Sequence, residues 1–114
     1  MSATLDEAIE AGKQGGQRAL DHAERDTPSW RHIATMFLRR YARQHPEFII
    51  EEVVEAAAAW GMVEAPDARA WGPVIRAAAR DRVIAKTDRA RPAKSSRGSV
   101  KPVWRSLIYR GGVA

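Results

Sequence analysis

From residue 30 to residue 60, apolar side chains recur at intervals of three and four, and this spacing predicts helices. Trp30, Ile33, Ala34, Phe37, Leu38 and Tyr41 make one apolar stripe that runs to about Gln44, with Arg31, Arg39, Arg40 and Arg43 on the other faces. Thr27, Pro28 and Ser29 mark the start, since proline is tolerated in a first turn where its missing donor has no partner anyway. His45-Pro46 ends the stripe, because the residue before proline avoids helical dihedrals. Phe48, Ile49 and Ile50 are too brief a run for a helix and predict a strand stub. Glu51 and Glu52 then suit the positive end of a second helix. Val53, Val54, Ala57, Ala58 and Trp60 form its apolar face, and Gly61 closes it in a left-handed conformation. After the connector MVEAP, Pro66 and Asp67 open a further helix over about 68–82, with Asp67 as N-cap. Ala70, Trp71, Val74, Ile75 and Ala78 are its apolar face, and Arg69, Arg76, Arg80 and Arg82 decorate it. Gly72 and Pro73 near its beginning predict that the regular part starts at Trp71.

Both ends of the chain are patterned differently. Over residues 3–26, Leu5, Ala8, Ile9, Ala19, Leu20 and Ala23 recur at helical spacing, but Gly12, Gly15 and Gly16 interrupt them. Each glycine costs about 1 kcal/mol relative to alanine inside a helix, so this amphipathic helix is expected to be frayed or broken. Beyond the last helix, Val83, Ile84 and Ala85 begin a strand to about Thr87. Residues 89–101, RARPAKSSRGSVK, read as a basic loop without an acid, and PVWRSLIY returns as a second strand. Val103, Arg105, Leu107 and Tyr109 fall on one face of that strand, and Trp104, Ser106 and Ile108 on the other. The expected core is Ile33, Phe37, Leu38, Tyr41, Val53, Val54, Trp71, Val74, Ile75, Ile84 and Leu107. Trp30, Trp60 and Trp71 occupy helical apolar positions and read as packing residues, while Trp104 sits beside the hairpin.

The fold expected from this order is mainly α with a small β-hairpin wing: a winged helix-turn-helix with an extra N-terminal helix. Residues 1–27 carry that helix, 28–110 the winged-helix domain with its basic wing loop at 89–101, and 111–114 a loose tail. The 114 residues bound the chain to one domain. The absence of cysteine excludes a disulfide scaffold, thiol nucleophiles and Cys-rich zinc sites. No apolar run approaches the roughly eighteen residues of a membrane span. The acidic, amphipathic first residues lack the apolar centre of a signal peptide, so the expected address is the cytoplasm.

Charge adds the functional direction. Residues 69–110 hold twelve Lys or Arg against Asp81 and Asp88, a net +10, whereas residues 1–68 carry a net −5. A segregated cationic segment suggests a polyanionic partner more strongly than the overall +5 does. Helix-turn-helix proteins place the second helix of the motif in the major groove, and an arginine can fork onto guanine O6 and N7. That makes Arg69, Arg76 and Arg80 the candidate DNA contacts of the recognition helix at about 68–82, with Arg69 first for a base. The plainer alternative is a solvated face, with Arg69 paired to Asp67 or Glu64. In the wing, Arg89, Arg91, Lys94, Arg97 and Lys101 can lie along phosphates, and Ser95, Ser96 and Ser99 can donate to phosphate oxygens. A floppy, solvated hairpin tip would look the same in sequence. His22, His32 and His45 lack zinc-ligand spacing, and Glu47, Glu51, Glu52 and Glu55 read as helix-start acids. No Walker loop, GxSxG or dinucleotide fingerprint is present, so catalysis, metal and cofactor are not expected.

The segments FLRRYARQHPEFIIEEVVEAAAAWGMVEAPDARAWGPVIRAAARDRVI and PVWRSLIY, about two thirds of the chain, resemble small winged-helix proteins of bacteriophages and prophages. The most distinctive piece is PDARAWGPVIRAAARDRVI, where a helix runs into the first wing strand. The resemblance implies the fold and the DNA-binding class more than a detailed job; because a helix fits the B-form major groove, double-stranded DNA is the expected partner, in replication or transcriptional regulation. Its departures are a longer, more basic wing, KSSRGS, and the acidic N-terminal helix. That helix could engage a second copy or a replication protein, which makes a protein-interaction module the alternative reading.

Overall fold

A computed structural model describes residues 5–26, 29–65, 67–93 and 100–111. Helix α1 spans Leu5–Asp26 and α2 Trp30–Gln44; strand β1 is Glu47–Phe48; α3 is Ile50–Trp60. A 3-10 turn at Ala68–Ala70 leads into α4, Trp71–Arg80, followed by β2, Ile84–Pro92, and β3, Val100–Ser106. Among the described residues the chain is thus an α+β unit of four α-helices and a small antiparallel sheet with β3 in the middle, in the order β1-β3-β2.

The largest correction concerns α1, which is one continuous helix rather than a broken one. Gly15 and Gly16 mark a close crossing. A Cβ on Gly16 would lie 3.2 Å from Pro73 Cδ and 3.4 Å from the Arg69 carbonyl oxygen. Ala19, Leu20 and Ala23 bury on the same side, and tertiary packing outweighs the poor helix propensity. The carboxylate of Glu24 then accepts the backbone N–H groups of Ser29 (3.2 Å) and Arg31 (2.7 Å), capping α2 from a neighbouring helix.

Both ends of α3 and the approach to α4 follow the expected chemistry. Ile49 N–H donates to Glu52 Oε1 at 2.9 Å, one arm of a capping arrangement at the start of α3. Gly61, at φ 98°, closes that helix, with Met62 N–H bonded to the Ala57 carbonyl. Asp67 accepts the backbone N–H of Arg69 at 2.9 Å and so caps the 3-10 turn, and α4 begins at Trp71 as expected. The strand stub is shifted, at Glu47–Phe48 rather than 48–50, because Ile50 already belongs to α3.

The core fills the space between α1, α2, α3, α4 and the inner face of the sheet. Trp30, Leu38, Phe48, Val53, Val74 and Ile84 are its largest fully buried members there. Trp30 meets Trp71 edge-on at 5.4 Å and donates its indole N–H to the Val63 carbonyl. Two expected core residues, Ile33 and Leu107, and one expected packing residue, Trp60, lie elsewhere. Ile33 is 39% exposed on the edge of the α2 stripe, and Trp60 is 59% exposed at the α3 terminus. Leu107 is 46% exposed because β3 ends at Ser106 and the chain bends there, breaking the strand alternation. Ser106 takes the inward position instead, donating its hydroxyl to the Ala42 carbonyl at 2.6 Å.

Candidate nucleic-acid interface

The nine candidate contacts separate into groups. On α4, Arg76 and Arg80 are exposed and, among the described residues, have no ion pair. Gly72 leaves room for the Arg76 guanidinium, which lies 3.3 Å from where a Cβ on Gly72 would stand, and equally close to one on Gly16. Arg76 therefore rests beside α1. Arg69, in the 3-10 turn, has a side chain 72% exposed but forked onto Asp67, with Nη2 to Oδ2 at 2.6 Å and Nε to Oδ2 at 2.9 Å. The Arg69 guanidinium bond, and then its backbone N–H, hold the Asp67 carboxyl below the usual carboxylate range, while the same bond raises Arg69. The plainer expectation for Arg69 is thus realised in this structure.

The hairpin corrects the extent of the wing. Strands replace most of the loop expected at 89–101: Arg89 and Arg91 belong to β2, and Lys101 to β3. Backbone pairing of Arg91 with Lys101 and Pro92 with Val100 accounts for this. Lys94, Ser95 and Arg97, with Ser96 and Ser99, lie outside the described residues. A register shift between Lys86 and Ala90 marks a bulge, where Thr87 donates its hydroxyl to the Val103 carbonyl at 2.8 Å. Within it, Arg89 pairs with Glu47 of β1, and beyond it Arg91 Nη2 meets Glu52 Oε1 of α3 at 2.7 Å. The Arg89 hydrogen bond is the main cause that lowers the Glu47 carboxyl, with Arg91 and Arg105 contributing through their charge, and Glu47 in turn raises Arg89. Ile49, Ala93 and Val103 form a second small buried cluster under these pairs. The described far half of the hairpin is therefore clipped onto the β1–α3 junction.

Sequence reasoning missed this clip and did not count three exposed cations among the candidate contacts. Arg105 lies opposite both Glu47 and Ala85 in the sheet, hence on its outward face, and Lys86 and Arg82 are exposed at the hairpin base. The signal available was the acid-to-base spacing: Glu47 and Glu52 stand just before and within the first turn of α3, where an arginine from a returning strand can reach them. The structure gathers Arg89, Arg91 and Arg105 around Glu47, and separately sets Arg69 and Arg76 beside Gly15 and Gly16. Leu20, on the N-terminal helix that the protein-interaction reading offers to a partner, is 2% exposed in the core.

No protein-family model matches this chain, nor does any curated protein or solved structure.

Proposed function

We propose that this chain is a winged-helix protein that binds double-stranded DNA, of the phage or prophage type that its sequence resembles, serving replication or transcriptional regulation. In this reading α4 is the recognition helix and β2–β3 the wing. The observation that carries it is the element order α2–β1–α3–α4–β2–β3 with β3 central, which puts an arginine-bearing helix directly before a cationic hairpin. Arg76 and Arg80 are the α4 cations available to DNA, and Lys86, Lys101 and Arg105 those of the described hairpin. Arg69 joins them by leaving Asp67, a solvent-exposed pair that contributes little to stability and is easily exchanged for a phosphate or a guanine. Duplex DNA is favoured over RNA because a helix fits the B-form major groove and not the narrow A-form one.

Titration of a labelled duplex by fluorescence anisotropy at several salt concentrations tests the reading. Neutralising six phosphates gives a slope of log affinity against log salt of about −5. Arg76→Ala and Arg80→Ala should weaken binding. Lys94→Ala with Arg97→Ala should weaken all sequences alike, and Arg69→Ala should relax preference at one base pair. A slope near zero on duplex DNA sinks the proposal.

A further inference from the structure

The α2–α3 side of the molecule carries a feature that the DNA reading does not use. Ile33, Met36 and Arg40 succeed one another at three- and four-residue steps on one flank of α2, and Ile33 and Met36 are 39% and 57% exposed. Trp60, 59% exposed at the end of α3, stands beside Arg40 of that flank, its ring 5.7 Å from Phe37. Between the helices runs an open groove of about 340 Å³ lined by Phe37, Arg40, Tyr41, Gln44, Ala56 and Trp60, with His45 at its end. Exposed large apolar side chains gathered around a groove mark interaction sites more often than scattered surface residues do.

Charge limits what can fill the groove. Helix α2 carries Arg31, Arg39, Arg40 and Arg43 and no acid. The Arg40 guanidinium lies over Trp60 at 5.9 Å from the ring centroid, and among the described residues Arg39, Arg40 and Arg43 have no ion pair. On the α3 side Glu52 is already engaged by Arg91, which leaves Glu55 as the acid near Tyr41. A second copy docking by two-fold symmetry would set two arginine-bearing α2 flanks against each other. Base stacking of a single strand is disfavoured as well. One face of Tyr41 is covered by His45 at 3.8 Å, and Phe37 and Trp60 are inclined at 42°, which leaves no parallel slot.

We infer that this groove docks an acidic, amphipathic segment of another protein. A leucine or aromatic residue of that segment seats beside Trp60 and Phe37, and carboxylates along its edge meet Arg40 and Arg43. Helix-in-groove recognition seats apolar anchors, spaced three and four residues apart on the docked segment, in a groove of this kind. The inference does not rest on DNA binding and uses none of the α4 or hairpin cations.

Selection of a displayed random-peptide library on the full chain tests it, followed by titration of the best synthetic peptide. The selected peptides should be net acidic, with paired apolar anchors. They should shift backbone amide resonances within residues 33–45 and 54–61. Affinity should fall roughly ten-fold or more in Trp60→Ala, as expected for a central aromatic anchor, and comparably in Arg40→Glu. Arg76→Ala should bind the peptide normally, which separates this site from the proposed DNA surface. Circular dichroism checks that both variants fold. Failure to enrich any peptide, enrichment of neutral or basic ones, or binding that survives both substitutions overturns the inference. So does a dimer that Trp60→Ala dissociates, or single-stranded DNA that shifts the same amides.

Discussion

Two adjacent glycines in α1 do different work, and substituting each separately measures it. Gly15 faces only the tip of Arg69, with Nη1 3.4 Å from a would-be Cβ, so alanine there makes an ordinary contact with a movable group. Gly15→Ala should raise stability by about 0.5–1 kcal/mol through helix propensity. Gly16 faces the Pro73 ring at 3.2 Å and the Arg69 carbonyl at 3.4 Å, neither of which moves freely. Gly16→Ala should therefore gain nothing or lose stability, and Gly16→Val should lose about 1–3 kcal/mol by overpacking. Thermal melts followed by circular dichroism decide it, and equal gains at both positions would mean that α1 does not press on the start of α4. Arg82 gives a further test at this scale. It takes φ 59° at the end of α4, where Val83 N–H bonds the Ala78 carbonyl in the pattern usually closed by glycine. Arg82→Gly should leave the melt unchanged or raise stability by about 1 kcal/mol, since only glycine adopts this conformation freely.

At the scale of elements, what could be read from sequence was what depends on near neighbours. The stripe from Trp30 to Tyr41, the Gly61 stop, the Asp67 cap and the start of α4 at Trp71 each follow from side chains within one or two turns, and each is found. What escaped depends on distant partners. Gly15 and Gly16 look like helix breakers until the start of α4 lies against them. Arg89 and Arg91 look like loop residues until Glu47 and Glu52 take them and β2 extends to Pro92. Trp60 and Leu107 satisfy the period of their elements but sit where those elements end, past the reach of the core. Of the candidate site, the α4 arginines were legible as an exposed face and the Arg69–Asp67 pair as the plainer alternative, while the pairing of the hairpin arginines was not. Ser106 shows the same dependence on distance, since its hydroxyl ties β3 to the last turns of α2 and also accepts the Ile108 N–H at 3.2 Å. Ser106→Ala leaves the buried Ala42 carbonyl short of that donor and should cost about 1–3 kcal/mol, read from denaturant unfolding.

Over the whole molecule, the arrangement of charge sets two demands against each other. The acid-rich first part of the chain supplies the carboxylates that hold cations of the basic second part: Asp67 takes Arg69, Glu47 takes Arg89 and Glu52 takes Arg91. Three of the nine candidate DNA contacts are thus occupied within the protein. If the proposed DNA function holds, these carboxylates compete with phosphate, and removing their charge should tighten binding. Glu47→Gln and Glu52→Gln together should raise duplex affinity at fixed salt and steepen the salt slope by up to about 1 for each arginine released to a phosphate. Acid should act in the same direction for Glu47. Arg89 depresses its folded-state pKa, so the stability it lends is present above the usual carboxylate value and is lost as pH falls through the depressed one. The gain in affinity on acidification should therefore appear only below the usual carboxylate range, and the Glu47→Gln variant should lack the part due to Glu47. Anisotropy titrations of both proteins across that range provide the check. Weaker binding by folded Gln variants would mean that the clip positions the hairpin for DNA and does not withhold its arginines.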